Sequence, residues 1–152
     1  LDGLAGLPLA LLGSSAGGAV ATEAVRRGAP VDALVLLAAP AAWLSFAADP
    51  SAGMRRIVQE AGMPLDADAL ADPSAWASEF DAVTTENSIP DVRVPTLIVH
   101  GTGDEVVPVD HATRIAERAR NAEIRIVEGA AHQLRREGAV VELVVDWLHR
   151  RL

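Results

Sequence analysis

The sequence predicts an α/β chain: a parallel sheet with helices flanking it. Three observations predict it. Continuous apolar runs at residues 8–12, 31–39 and 94–100 have strand length and lack alternation, as expected of strands covered on both faces. Residues 19–27 are alanine-rich and stop at Gly28, which is the pattern of a helix with its C-terminal glycine. Strand, helix and strand in that order imply a right-handed crossover and parallel pairing.

The junction between the first strand and that helix is Gly13-Ser14-Ser15-Ala16-Gly17-Gly18. Gly-x-Ser-x-Gly suits a sharp strand-to-helix turn in which the serine backbone is strained and Gly13 and Gly17 leave room beside it. Such a turn lifts the Ser15 hydroxyl clear of the sheet and sets it at a helix N-terminus. There the free N–H of Ala16 can face developing negative charge. A dinucleotide-binding loop would need Gly-x-Gly-x-x-Gly, whereas a serine holds the middle position here. Ser14 is the alternative hydroxyl, but only Ser15 has glycine two residues away on each side.

Composition limits what else the chain can be. Its 152 residues, 50% hydrophobic and 22% charged, are enough for a single domain over 1–152 with a sizeable core. With no cysteine there is no disulfide framework, thiolate metal site or cysteine nucleophile. All 13 basic residues are arginine, a coding bias more than a mechanism. A net charge of −8 without a basic stripe argues against nucleic acid as a partner. No run reaches membrane-spanning length, and residues 4–12 are preceded by Asp2 instead of the positive charge of a signal peptide. Cytoplasmic localisation is the default expectation.

Pro40 closes the second strand, and residues 41–91 then read as a helical insertion. Met54, Ile57, Val58 and Ala61 fall at helical spacing, and Asp72-Pro73 reads as an N-cap and first turn for a helix carrying Trp76, Phe80 and Val83. Trp43, Phe46, Trp76 and Phe80 supply a small core for the insertion, or some of them line an apolar pocket over Ser15 as a lid would. Nine acidic residues against Arg55 and Arg56 make this segment strongly negative. At an entrance, that charge would disfavour anionic substrates.

The strand at 94–100 opens into Gly101-Thr102-Gly103-Asp104, so Asp104 lies where catalytic groups collect, at the carboxyl end of a parallel strand. Taken alone, Asp104 reads as a turn residue. A helix capped by Asp110 follows, with His111 exposed in its first turn. Glu123-Ile124-Arg125-Ile126-Val127 alternates charged and apolar side chains, which predicts an edge strand. The last helix is expected to turn Val141, Val144, Val145 and Leu148 inward. Of the four histidines, His149 suits a helix C-terminus, His100 closes a strand as a packed or hydrogen-bonded side chain, and only His132 stands in a loop just past a strand.

The chain resembles the C-terminal part of an α/β-hydrolase of the esterase, lipase and serine-aminopeptidase kind. The resemblance rests on Gly13-Ser14-Ser15-Ala16-Gly17-Gly18 after a strand, Pro95-Thr96-Leu97-Ile98-Val99-His100-Gly101 leading to Asp104, and Gly129-Ala130-Ala131-His132 before the last helix. It covers nearly the whole chain, in the family's order of nucleophile, acid and histidine. It implies that Ser15 attacks an acyl carbonyl, that His132 moves the proton, and that Asp104 orients the imidazole. It further implies that Ala16 N–H is one oxyanion donor, that residues 41–91 form a helical lid, and that no metal or organic cofactor is needed. Activity is then expected to fall on acidification through a histidine titration, about 6.5 for a free imidazole.

The resemblance departs at the front, where family members carry further strands and a loop that donates the second oxyanion N–H. Two expectations follow. The first is a serine hydrolase for a small, neutral, apolar acyl substrate, with residues 8–12 leaving an unpaired strand edge. The second is an incomplete or non-catalytic domain that depends on a missing N-terminal half or a second chain.

Overall fold

The computed structural model describes residues 6–43, 72, 75, 78 and 82–152. Its strands are β1 (Ala10–Ser14), β2 (Ala33–Leu37), β3 (Thr96–Gly101) and β4 (Ala122–Val127), and they form one parallel sheet in the order β1-β2-β3-β4. Gly13 pairs with Leu36, Leu36 with Ile98, and Ile98 with Ile124. The helices whose bounds fall among the described residues are α1 (Ala16–Arg26), the short α2 (Thr85–Ser88), α3 (Asp110–Arg118) and α4 (Gly138–Arg151). Each strand's carboxyl end therefore opens toward the same edge of the sheet.

Period-2 alternation in β2 divides the core. Leu34 and Leu36 pack with Ala21 and Val25 of α1, Ile98, and Ala112 and Ile115 of α3. On the other face Ala33, Val35 and Leu37 meet Leu97, Val99, Leu134 and the α4 stripe Val140, Val144 and Trp147. Each large aliphatic side chain buried this way contributes roughly 1.5–3 kcal/mol. β2 and β3 are buried along their whole length, as their unbroken apolar runs predict.

β1 departs from that expectation. The strand begins two residues later than the apolar run, and as an edge it leaves Leu12 48% exposed. The expected inward face of α4 is corrected with it: Val141 and Val145 are 47% and 43% exposed. They line an apolar groove of about 240 Å³ with Leu12 and Leu37. The cause is the width of the apolar arc on α4. Two overlapping stripes both satisfy helical spacing, and the sheet covers only the one through Val140, Val144 and Trp147. β4 is the opposite edge, as its alternating pattern predicts.

Hydrogen bonds form within the segment 41–91 that the sequence reads as an insertion. Ala75 N donates to Asp72 Oδ1 at 3.0 Å, which fits the expected N-cap, and Trp43 Nε1 donates to the Val83 carbonyl at 2.8 Å. Phe46, Trp76 and Phe80, and most of the lid expected over 41–91, lie outside the described residues. Near the end of that segment, Ser88 Oγ on α2 donates to Glu23 Oε2 at 2.8 Å. Glu23 also accepts from Arg26 and Arg27, and the Arg26 guanidinium holds its carboxyl well below the usual carboxylate range.

Two expectations for α3 are corrected. Val109, in helical conformation, holds the cap position, and Asp110 is the first helical residue, with no side-chain cap. His111 is buried at 3% exposure, because its Nδ1 accepts the Ala41 N–H at 2.9 Å where the chain leaves β2. Burial lowers the His111 pKa, with Arg114 and His100 adding to the effect and Asp110 and Glu86 opposing it.

An imidazole that titrates lower in the folded chain than in the unfolded one makes stability fall as pH drops through the unfolded value, about 6.5. Urea midpoints should therefore decrease from pH 7.5 to pH 5.5. In His111→Asn, whose amide oxygen can still accept from Ala41, part of that decrease should disappear. An unchanged pH slope would contradict the buried, proton-poor His111.

Candidate active site

The site grows from the C-terminal end of β1. Ser15 has φ 53° and ψ −130°, a left-handed backbone that a non-glycine residue adopts only under constraint. Here Ser15 N donates to the Leu37 carbonyl at 2.9 Å and α1 begins at the next residue. Gly13 makes the turn possible, since a Cβ there would lie 2.4 Å from the Gly17 carbonyl oxygen. Gly17 departs from expectation, because a Cβ at that position meets nothing within 4 Å. The bare backbone is required on one side of the serine only. As the first helical residue, Ala16 has an N–H without an intrahelical acceptor.

His132 approaches from the loop after β4. Its Nε2 is 2.9 Å from Ser15 Oγ and its Nδ1 is 2.8 Å from Asp104 Oδ2. An ionised carboxylate only accepts, so Nδ1 carries hydrogen and Nε2 is left with a lone pair toward the serine hydroxyl. The Ser14 hydroxyl, by contrast, is buried and has no hydrogen-bond partner among the described residues. His132 thus pairs with Ser15 and not with its neighbour.

Asp104 satisfies both readings of its sequence position. Oδ1 accepts from Val106 N and Val107 N, each at 2.9 Å, which is a turn-residue arrangement, while Oδ2 faces His132. Burial pushes the Asp104 carboxyl up, but Val107 N–H, His132 and Val106 N–H together outweigh it and leave the pKa below the usual value. Asp104 remains an anion beside the imidazole at neutral pH.

The loops after β3 and β4 are stapled to each other by contacts that sequence pattern does not reveal. Thr102 N donates to the Val127 carbonyl at 3.0 Å, Gly103 N to the Ala130 carbonyl at 3.1 Å, and Gly129 N to Thr102 Oγ1 at 2.8 Å. Gly101 lets them approach, for a Cβ there would sit 2.0 Å from the Ala130 carbonyl oxygen. Of the aromatic side chains expected to line a pocket, Trp43 is half-buried with its indole on Val83, and the other three are outside the described residues. Among the described residues, no group of three His, Cys, Asp or Glu side chains is arranged to hold a metal ion, and no helix is long and apolar enough to cross a membrane.

A parallel sheet whose strand ends carry a serine on a strained strand-to-helix turn, an aspartate and a histidine defines the chain as an α/β hydrolase. A metagenomic α/β hydrolase from sediments of the Mar Chica lagoon shares the fold, with a TM-score of 0.70 and 18% identity over 99% of this chain and 65% of that one. The chain belongs to the prolyl oligopeptidase family, whose model matches residues 8–152.

Curated relatives align over shorter stretches. A monoglyceride lipase homolog of Monkeypox virus is 36% identical over 70 residues, covering 42% of this chain and 25% of that protein. Human alpha/beta hydrolase domain-containing protein 17C is 38% identical over 72 residues, covering 47% and 20%. The matched stretch spans a quarter or less of these two relatives.

The two elbow and loop glycines separate cleanly in their expected effects. Gly101→Ala forces a methyl against a backbone carbonyl and should destabilise the chain by about 1–3 kcal/mol in urea denaturation. Gly17→Ala, pointing into open space near the start of α1, should be neutral or stabilising by up to about 1 kcal/mol. Equal stabilities for the two variants would contradict this packing.

Proposed function

We propose that the chain is a serine hydrolase that cleaves a carboxylic ester or related acyl compound through a covalent acyl-enzyme. The observation that carries this reading is the unbroken run of hydrogen bonds from Ser15 Oγ through His132 to Asp104. His132 Nε2 takes the hydroxyl proton as Ser15 Oγ attacks the carbonyl carbon, and Asp104 stabilises the imidazolium that forms. The carbonyl oxygen becomes an oxyanion facing Ala16 N–H, one of its donors. Collapse expels the alcohol, which takes the proton from His132. Water then repeats the sequence on the acyl-serine, and the acid leaves.

The strained Ser15 backbone supports this role, because it projects the hydroxyl at the start of α1 instead of into the sheet. The acidic residues of 41–91, read as a lid with Trp43, Phe46, Trp76 and Phe80 toward the substrate, favour a neutral, apolar acyl group. The lipase homolog among the relatives is in keeping with an ester. Peptide-bond hydrolysis is the second reading, favoured by the family match.

Ser15→Ala should reduce hydrolysis of p-nitrophenyl butyrate by a factor of about 10³ or more, at unchanged melting temperature. Activity of the unaltered chain should fall on acidification. Asp104, with its lowered pKa, stays ionised through that change. A peptidyl anilide compared at equal concentration distinguishes the two substrate readings. Turnover by Ser15→Ala equal to that of the unaltered chain would contradict both.

A further inference from the structure

The penultimate residue of β3 is a histidine that the proposed reaction does not use. His100 is fully buried, at 0% exposure, on the same sheet face as Ile98. Its Nε2 lies 2.9 Å from the Val107 carbonyl oxygen and 3.3 Å from Asp104 Oδ2. Its Nδ1 is buried with no hydrogen-bond partner among the described residues. A carbonyl and a carboxylate can only accept, so the ring hydrogen belongs on Nε2 and Nδ1 carries an unused lone pair. Burying a lone pair unpaired costs free energy, and a leucine would fill a comparable volume without that cost. The ring's contribution therefore lies in Nε2–H.

That N–H acts on Asp104 by two routes. It holds the Val107 peptide from the carbonyl side, and the N–H of the same residue holds Asp104 Oδ1 at 2.9 Å. It also sets a positive dipole end beside Oδ2, the oxygen that His132 Nδ1 approaches to 2.8 Å. Without it, Oδ2 would rest on His132 alone, and the carboxylate could pivot about the pair of bonds at Oδ1. We propose that His100 is a positioning residue: through Nε2–H it fixes the Val107 peptide and the plane of the Asp104 carboxylate, and so the tautomer and aim of His132. Its effect on rate rests on the serine-hydrolase reading, but its effect on His132 does not.

The test uses the 152-residue chain with ¹⁵N-labelled histidine, as the unaltered protein, His100→Leu and His100→Gln, whose amide restores a donor near the Nε2 position. In the unaltered protein, His100 should show hydrogen on Nε2 and His132 hydrogen on Nδ1. In His100→Leu the two His132 nitrogen signals should move toward the averaged values of mixed tautomers, and in His100→Gln they should return.

Turnover of p-nitrophenyl butyrate should follow. kcat should fall roughly 10- to 100-fold in His100→Leu with KM changed less than about threefold, and should recover to within about fivefold in His100→Gln. Hydrogen found on Nδ1 of His100 would overturn the inference even if no variant folded. A folded His100→Leu with unchanged His132 signals and kcat would overturn it as well. If the unaltered chain does not turn over the ester, the hydrolase reading fails while the nitrogen signals still decide the role of His100.

Discussion

The site depends on a contact that involves no reacting atom: the bare Cα of Gly101 against the carbonyl of Ala130. Parallel strands deliver their carboxyl ends to one edge, but they do not by themselves bring two loops within hydrogen-bond distance. The close approach at Gly101, with Thr102 and Gly103 bonded to Gly129 and Ala130, joins the aspartate's loop to the histidine's. The elbow completes the assembly from β1, where Gly13 and the Leu37 carbonyl hold Ser15 in a conformation it would not choose alone. Strain at one residue is thus supported by well-packed neighbours, since β2 is buried throughout.

What sequence reveals here follows the range of each interaction. The elbow is local, so Gly13, Ser15 and the start of α1 can be read from a handful of residues. Asp104 and His132 are legible by their positions after strands and their order in the chain, and the structure brings His132 to Ser15 and Asp104 to His132. Pairwise burial is another matter. His111 has the spacing of an exposed first-turn residue, and only its distant partner, the Ala41 N–H, draws it inward. Gly17 looks as constrained as Gly13, yet only Gly13 meets a backbone atom.

The same limit explains α4 and β1. A helix carrying valine or leucine at positions 140, 141, 143, 144, 145 and 148 offers more apolar arc than one sheet face covers, so periodicity alone cannot choose the buried stripe. The sheet order makes the choice, leaving Val141 and Val145 beside the exposed Leu12 of the edge strand. His100 illustrates the converse. Its packing at a strand end is legible from sequence, whereas its approach to Asp104 appears only when the loop folds back through Val107. Residues that act through another residue leave no motif of their own.

The proposed reaction rests on activation of Ser15 by His132 and Asp104. The most direct measurement is labelling of the 152-residue chain, shown to be folded by circular dichroism, with a fluorophosphonate probe, followed by mass spectrometry to locate the modified residue. Labelling should be confined to Ser15 and lost in His132→Ala. A folded chain that stays unlabelled, or one labelled equally well without His132, would contradict it.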